Sequence, residues 1–150
     1  AHLQGKIDLP EPWRRLCQTA LEKPRPRVAL GQRLRGVASA AIDVSDGLLA
    51  DLGHIAQRSA LSAAVQLVQL PHLPKGQHHN DIPRALARDC QLAGGDDYEL
   101  CFTAPTSKRD AIAKISADLN IPLTHIGNIK SMRELSPEIN LINSAGVALN

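Results

Sequence analysis

The chain has 150 residues, of which 43% are hydrophobic and 21% are charged, and its formal net charge at pH 7 is +2. This length and composition are typical of a globular protein with its own core, so residues 1–150 are expected to form a single domain. The weak net charge and the 2% aromatic content argue against nucleic-acid binding, because proteins that bind single strands stack bases on aromatic rings. No apolar run approaches the roughly 20 residues that cross a bilayer, so no membrane partner is expected.

In chain order, the hydrophobic pattern alternates between helical and extended periods. Helices are predicted at residues 12–22, 28–35, 47–59, 82–93 and 106–119. Strands are predicted at residues 38–44, 64–70, 98–103 and 123–129, followed by a hairpin of 139–142 and 147–149. This order indicates an α/β layered domain in which helices pack on a mixed sheet.

The same pattern predicts which faces are buried. The strand at 38–44 is small and apolar, which predicts a buried strand. The helix at 47–59 has a predicted buried stripe of Leu48, Leu49, Leu52, Ile55 and Ala56. The first helix has a shared apolar face of Trp13, Leu16, Cys17, Ala20 and Leu21.

The cysteines bear on cellular location. Cys17, Cys90 and Cys101 are odd in number and include no CxxC spacing, so neither a disulfide framework nor a zinc site is indicated. Cys17 and Cys101 are expected to be small core residues. A reducing cytoplasm fits these thiols best.

The first candidate site is the segment Asp-Val-Ser-Asp-Gly-Leu at 43–48, between a predicted strand and a predicted helix. A helix N-terminus offers free N–H groups and partial positive charge, which favour anions such as phosphate. Asp43 and Asp46 flank the Ser45 hydroxyl and supply carboxylate oxygens, which are ligands that Mg²⁺ prefers. The segment therefore suits a magnesium-bound polyphosphate. A second interpretation, in which Ser45 or Asp46 is only a helix N-cap, stays open.

The second candidate site is the segment Gly-Gly-Asp-Asp-Tyr-Glu-Leu at 94–100. Gly94 lies where a helix C-cap is expected, and the two adjacent carboxylates follow in a flexible acidic loop. Such a loop can hold a cation or accept hydrogen bonds from an amino-bearing ligand. A solvated acidic turn explains the same residues, and Tyr98 is expected to pack rather than to react.

Two further patterns narrow the possibilities. A basic cluster is interpreted as a solvated linker that could also contact phosphate; it consists of Lys23, Arg25, Arg27, Arg33 and Arg35. The sequence contains neither GxxxxGK[ST] nor GxGxxG, so phosphate chemistry would use another scaffold.

Taken together, these segments resemble the thiamine-monophosphate kinase family, within the aminoimidazole ribonucleotide synthetase-like superfamily. The resemblance rests on 43–48 and 94–100, with support from 24–34, 51–55 and 125–129, and it covers most of positions 10–130. It implies a fold like the C-terminal domain of aminoimidazole ribonucleotide synthetase. The implied activity is the ATP- and Mg²⁺-dependent phosphorylation of thiamine phosphate to thiamine diphosphate.

The resemblance also implies roles for individual residues. Asp43 and Asp46 are expected to be Mg²⁺ ligands, Ser45 to contact ATP, and Asp96 to contact thiamine phosphate; no catalytic base is evident. The resemblance further implies a two-domain homodimer whose N-terminal domain carries most of the nucleotide and magnesium ligands. These 150 residues lack that domain, so they are expected to supply the C-terminal half of an active site and to be inactive alone.

Two other functions stay open at this point. One is another ATP-dependent enzyme of the superfamily, such as selenophosphate synthetase or the hydrogenase-maturation relative, against which the segment 94–100 argues. The other is a non-catalytic interaction module that keeps the fold and binds a partner subunit. The joint presence of the four site residues argues against this module; they are Asp43, Ser45, Asp46 and Asp96.

Overall fold

A computed structural model describes residues 5, 8–72, 82–131 and 139–149 of the chain. The helices in these ranges are α1 (Glu11–Glu22), α2 (Val28–Arg33), α3 (Leu48–Ser59), α4 (Arg84–Ala93) and α5 (Arg109–Leu119). The strands are β1 (Ala40–Asp43), β2 (Leu61–Gln66), β3 (Leu100–Thr103), β4 (Gly127–Ser131), β5 (Ile139–Ile142) and β6 (Ala148–Leu149). Short 3₁₀ turns follow β2 at Leu67–Gln69 and precede α5 at Thr106–Lys108.

The described strands form two separate sheets. β1 pairs antiparallel with β3, and this pairing places Asp43 opposite Leu100. The second sheet has the order β4-β2-β5-β6, in which β2 is antiparallel to β4 and parallel to β5. The prediction of an α/β fold with a mixed sheet is therefore confirmed. The predicted terminal hairpin is also present, because β5 and β6 pair antiparallel.

Two hydrophobic clusters join the helices to the strands. The larger cluster lies beneath the β1–α3 connection and consists of Val44, Leu52, Ala63, Val65, Leu67, Leu70, Leu92 and Cys101. The smaller cluster joins α2 to α5 through Leu30, Leu34 and Ile115. Each fully buried leucine contributes about 1.5–3 kcal/mol of transfer free energy. The larger cluster includes Val44 in the first candidate segment, and Leu92 and Cys101 on either side of the second. The prediction that Cys101 is a core residue is confirmed.

The apolar stripe of α3 contains one buried carboxylate, that of Asp51, which the hydrophobic pattern did not predict. The stripe is buried at Leu52, Ile55 and Ala56, while Leu48 and Leu49 are partly buried and pack against the cluster. Asp51 lies among these positions and is only 2% exposed. A hydrophobic stripe that contains a buried carboxylate needs an internal hydrogen-bond donor to that carboxylate.

The predicted apolar face of α1 is buried only at Trp13. Trp13 is buried, whereas Leu16, Leu21 and Cys17 are exposed. An amphipathic pattern predicts which face of a helix is apolar, and it does not predict whether another element covers that face. The prediction that Cys17 is a core residue is therefore wrong in this chain.

Several strand predictions also need correction. β1 alternates between partly buried and exposed residues, so the prediction of a buried strand is wrong; a two-stranded sheet leaves one of its faces open. β2 starts and ends earlier than predicted because its last predicted residues form the 3₁₀ turn. β3 starts at Leu100 because Asp96 and Tyr98 have positive φ values, which interrupt an extended backbone.

The remaining differences are small. β4 begins at Gly127 rather than at 123, and its pairing with β2 runs from Gly127 to Ser131. The polar segment 75–80 lies outside the described residues. Within the described ranges, no helix combines the length and apolar content that a bilayer crossing requires.

Candidate active site

The turn between β1 and α3 depends on a glycine at its end. Gly47 caps α3 with a φ of 112°, a value that side chains with a Cβ atom rarely adopt. A Cβ atom at this position would lie 2.9 Å from the Ala93 backbone carbonyl carbon at the end of α4. Gly47 therefore allows the start of α3 to approach the segment that begins the acidic loop.

Neither Ser45 nor Asp46 is the N-cap of α3, so the interpretation of these residues as simple helix caps is wrong. The cap residue is Gly47, and no side chain caps the helix through a hydrogen bond. The N–H groups of Ser45 and Asp46 instead donate to Oδ2 of Asp51, at 2.9 and 3.1 Å. These two amides are thus engaged by an internal carboxylate and are not free for a phosphate.

Asp51 is a site residue that the sequence patterns missed. A capping box places the acidic partner three residues beyond the N-cap, whereas Asp51 lies six residues beyond Ser45 and five beyond Asp46. A signal did exist, since Asp51 falls between Leu48 and Leu52 on the apolar stripe. A charged residue at a buried helical position indicates a specific internal partner.

The two candidate segments meet through their backbones. The Val44 N–H donates to the Glu99 carbonyl oxygen at 2.8 Å, and the Tyr98 N–H donates to the Val44 carbonyl oxygen at 2.9 Å. The Asp96 N–H donates to the Ser45 carbonyl oxygen, also at 2.9 Å. These bonds continue the β1–β3 pairing beyond the strand ends, so the acidic loop lies directly on the turn.

Gly95 makes this close contact possible. A Cβ atom at Gly95 would lie 2.4 Å from the Ser45 carbonyl oxygen, which is far inside van der Waals contact. Gly94 has a similar role, because its Cβ would lie 2.3 Å from the Cys90 carbonyl oxygen. Gly94 does occupy the C-cap of α4, but with φ −71° and ψ 124° it is needed for space rather than for a left-handed conformation.

Tyr98 is exposed rather than packed, so the prediction of a packing role is wrong. Its ring is 43% exposed, and its hydroxyl donates to Oδ1 of Asp96 at 3.2 Å. This hydrogen bond and the charge of Asp96 raise the pKa of Tyr98, with further contributions from Asp43 and Asp46. The carboxylates of both segments therefore contribute to the raised pKa of one phenol.

Asp96 and Tyr98 share an unusual backbone conformation. Their φ values are 63° and 51°, in the left-handed region that non-glycine residues seldom occupy. Each such residue stores on the order of 1 kcal/mol of strain, and strained positions cluster at functional sites.

Burial together with the charges of Glu99 and Asp96 also raises the pKa of the neighbouring Asp97.

Part of the basic cluster is paired rather than solvated. The Arg27 guanidinium binds both carboxylate oxygens of Glu99, at 2.7 and 2.5 Å, and this contact raises the pKa of Arg27. Arg33 pairs with Asp118 at 2.7 Å. The linker interpretation is therefore wrong for Arg27, which ties the segment before α2 to the end of the acidic loop.

The carboxylates of Asp43 and Asp46 are exposed and have no hydrogen-bond or ion-pair partner among the described residues. In the same ranges, no group of three or more His, Cys, Asp or Glu side chains is arranged to hold a metal ion. Magnesium commonly binds one or two carboxylates and completes its shell with water and phosphate oxygens. Asp43 and Asp46 are two exposed carboxylates of this kind, one on each side of Ser45 in the turn.

Comparison with known proteins connects this arrangement to a family. The chain is 48% identical over 107 residues to thiamine-monophosphate kinase of Haemophilus influenzae. This alignment covers 71% of this chain and 32% of the relative. It is 45% identical over 109 residues to the Salmonella typhimurium thiamine-monophosphate kinase, which covers 73% of this chain and 33% of that relative. The chain thus spans about a third of the length of these relatives. No protein-family model matches it.

Solved structures agree in fold. The crystal structure of thiamine-monophosphate kinase from Stenotrophomonas maltophilia K279a is 42% identical with a TM-score of 0.79, covering 98% of this chain and 45% of that chain. A structure named "AaThiL complexed with AMPPCP and TMP" has a TM-score of 0.73 at 23% identity and covers 99% of this chain and 43% of that chain.

A more distant structure shares the fold alone. The hydrogenase maturation protein HypE in complex with ATP has a TM-score of 0.56 at 18% identity, over 75% of this chain and 34% of that chain. The predicted relation to the aminoimidazole ribonucleotide synthetase-like fold is therefore confirmed. By sequence and by fold, the chain belongs to the thiamine-monophosphate kinase family and corresponds to the C-terminal part of its longer members.

Proposed function

We propose that this chain supplies the C-terminal half of the active site of a thiamine-phosphate kinase. The reaction is the transfer of the terminal phosphoryl group of ATP to thiamine phosphate, which yields thiamine diphosphate and ADP. Two relatives that carry this name are 48% and 45% identical to the chain. One solved member of the family is described as complexed with AMPPCP and TMP.

Four residues take roles in the proposed site. Asp43 and Asp46 hold Mg²⁺, Ser45 contacts ATP, and Asp96 contacts thiamine phosphate. A bound Mg²⁺ would neutralise negative charge on the phosphates of the nucleotide. No residue is proposed as a general base, because the attacking phosphate oxygen of thiamine phosphate is already anionic.

The observation that carries the proposal is the hydrogen bond from the Asp96 N–H to the Ser45 carbonyl oxygen. It joins the proposed nucleotide segment to the proposed thiamine phosphate segment. In-line phosphoryl transfer depends mainly on positioning and on charge neutralisation, so two substrates must be held close and at a constant angle. A direct backbone contact between the two binding segments supports that requirement.

The rest of the active site belongs to the remainder of the enzyme. We propose that residues 1–150 form one domain, that it works against an N-terminal ATP-binding domain, and that the complete kinase is a cytoplasmic homodimer. On this basis the 150-residue chain alone has no measurable kinase activity. Robust turnover by the purified chain would contradict this part of the proposal.

The two alternative functions are less well supported. The likeness to the hydrogenase maturation protein is at 18% identity, well below the identity to the thiamine-monophosphate kinases. A non-catalytic interaction module would not require Asp43 and Asp46 to remain exposed and unpaired beside Asp96. Neither alternative has an observation in its favour that the kinase lacks.

The test is a chimera in which this chain replaces the matching C-terminal part of the Haemophilus influenzae enzyme. We expect Mg²⁺-dependent formation of thiamine diphosphate by the chimera, and a loss of about 100-fold or more when Asp43 is changed to Asn. Asp110→Asn is the matched control, because Asp110 is an exposed aspartate on α5 and belongs to neither candidate segment. A folded chimera that forms no thiamine diphosphate, or an Asp43→Asn variant as active as Asp110→Asn, would contradict the proposal.

A further inference from the structure

The turn that carries Asp43, Ser45 and Asp46 is held from inside the protein by Asp51. We propose that Asp51 is a positioning residue, which orients this turn so that the two exposed carboxylates and the acidic loop face one ligand surface. The inference rests on the proposed function, and it adds a residue to which no role has been assigned. Asp51 does not reach the surface itself, since it is 2% exposed.

A buried carboxylate is costly unless hydrogen bonds stabilise its charge. Asp51 meets this condition through one oxygen atom, because Oδ2 accepts from the N–H groups of both Ser45 and Asp46. Hydrogen bonds to an ionised acceptor are stronger than those between neutral groups. Two such bonds that converge on one oxygen constrain two successive peptide planes, so the turn has one preferred orientation.

The constraint continues into the acidic loop. Ser45 uses its N–H group to donate to Asp51, and its carbonyl oxygen accepts from the Asp96 N–H. Burial, together with the charge of Asp51, raises the pKa of Cys101 on β3 to about 11. Asp51 is thus linked through Ser45 to Asp96, the proposed contact of thiamine phosphate.

The arrangement also affects what the turn can bind. Backbone N–H groups before a helix form anion sites when they are free. Here an internal carboxylate already occupies two of them, and the side chains of Asp43 and Asp46 remain exposed outside. The turn therefore presents negative charge to solvent, which favours a cation first and a phosphate only through that cation.

The experiment uses the ¹⁵N-labelled 150-residue chain and Mn²⁺ as the probe. Amide hydrogen exchange at Ser45 and Asp46 is measured relative to Ser39, whose N–H donates to the Thr103 carbonyl oxygen outside the turn. Mn²⁺ affinity is measured by electron paramagnetic resonance. The variants are Asp51→Ala and Asp51→Asn, and Leu52→Ala is the control because it removes buried volume from the next position of α3.

In Asp51→Ala, we expect exchange at Ser45 and Asp46 to accelerate about tenfold relative to Ser39, since both amides lose a charged acceptor. Mn²⁺ binding should weaken about fivefold or more compared with Leu52→Ala, as expected when the ligands lose a fixed orientation. Asp51→Asn keeps an acceptor oxygen, so it should give intermediate values and remain measurable if Asp51→Ala does not fold.

Two results would overturn the inference. One is an unchanged exchange ratio in the Asp51 variants, and the other is Mn²⁺ affinity equal to that of Leu52→Ala. Absence of Mn²⁺ binding by the wild-type chain would mean that Asp43 and Asp46 need the further ligands of the N-terminal domain, and it would not bear on the role of Asp51. The exchange ratio then decides by itself whether Asp51 holds the turn.

Discussion

The backbone N–H of Asp96 donates a hydrogen bond to the carbonyl oxygen of Ser45 at 2.9 Å, although the two residues are far apart in the sequence. The bond sets the acidic loop on the turn between β1 and α3. It is possible because Gly95 has no Cβ atom, which would otherwise lie 2.4 Å from that oxygen. The contact between the turn and the acidic loop thus depends on the absence of a side chain at Gly95.

This dependence predicts the effect of Gly95→Ala. The new methyl group must displace the Ser45 carbonyl, so we expect the free energy of unfolding to fall by about 2 kcal/mol. The measurement is urea denaturation of the chain. Gly53→Ala is the control, because Gly53 lies within α3 and its added Cβ would meet no atom within 4 Å. That control should raise the free energy of unfolding by about 0.5–1 kcal/mol. Equal effects of the two substitutions would contradict the prediction.

The surroundings of Tyr98 predict its titration. Tyr98 is the only tyrosine of the chain, so phenolate absorbance at about 295 nm reports on it alone. The midpoint should lie above the ordinary value of about 10, because the hydrogen bond to Asp96 and the nearby carboxylates oppose ionisation. Asp96→Asn should lower this midpoint, and Asp110→Asn should leave it unchanged. A midpoint that does not respond to Asp96→Asn would show that the hydroxyl contact is absent in solution.

The same shift has a consequence for stability. The folded protein holds the Tyr98 proton more tightly than the unfolded chain does. The stabilising contribution is therefore fully present below about pH 10 and is lost as the pH rises through the folded pKa. The Tyr98→Phe variant should lack this part of the alkaline loss, which denaturation curves between about pH 8 and 11 can measure. An identical pH dependence in both proteins would contradict the assignment.

The paired guanidinium of Arg27 predicts a modest coupling with Glu99. Both groups are partly solvated, so a double-mutant cycle of Arg27→Ala and Glu99→Ala should give at most about 1 kcal/mol, and less at 1 M salt. The matched pair is Arg33 with Asp118, which makes one hydrogen bond rather than two. The first coupling should exceed the second, because a bidentate contact has stricter geometry. A larger coupling energy for Arg33 with Asp118 than for Arg27 with Glu99 would contradict this prediction.

Thiol reactivity separates the three cysteines. Burial raises the pKa of the Cys101 thiol to about 11, so almost none of it is thiolate near neutral pH. Cys17 and Cys90 are exposed. In the native chain a disulfide reagent should therefore modify Cys17 and Cys90 only, and Cys101 should react after unfolding. A Cys17→Ser/Cys90→Ser variant that still reacts rapidly without denaturant would contradict the burial of Cys101.

Local patterns in the sequence were sufficient for much of the fold. The helical period of α3 and α5, the terminal hairpin and the class of fold were predicted correctly, because periodicity within one element depends on residues that are near in sequence. The two acidic segments were also found from residue types alone, since glycines and carboxylates between a strand and a helix are chemically distinctive. These features, with the family resemblance, are what the sequence determined by itself.

Only the tertiary structure decided which groups are partners. The sequence predicts an apolar face on α1, yet Leu16 and Leu21 on that face are exposed, because burial requires a second surface that a helical pattern does not specify. Tyr98 was expected to pack, yet its left-handed backbone leaves it exposed beside Asp96. The acceptor of the Ser45 and Asp46 amides is Asp51. In the sequence pattern, Asp51 is only a polar position on an apolar helix stripe. A buried charge and a backbone amide are paired by three-dimensional proximity, and this proximity is set by the packing of elements that the sequence alone presents as separate.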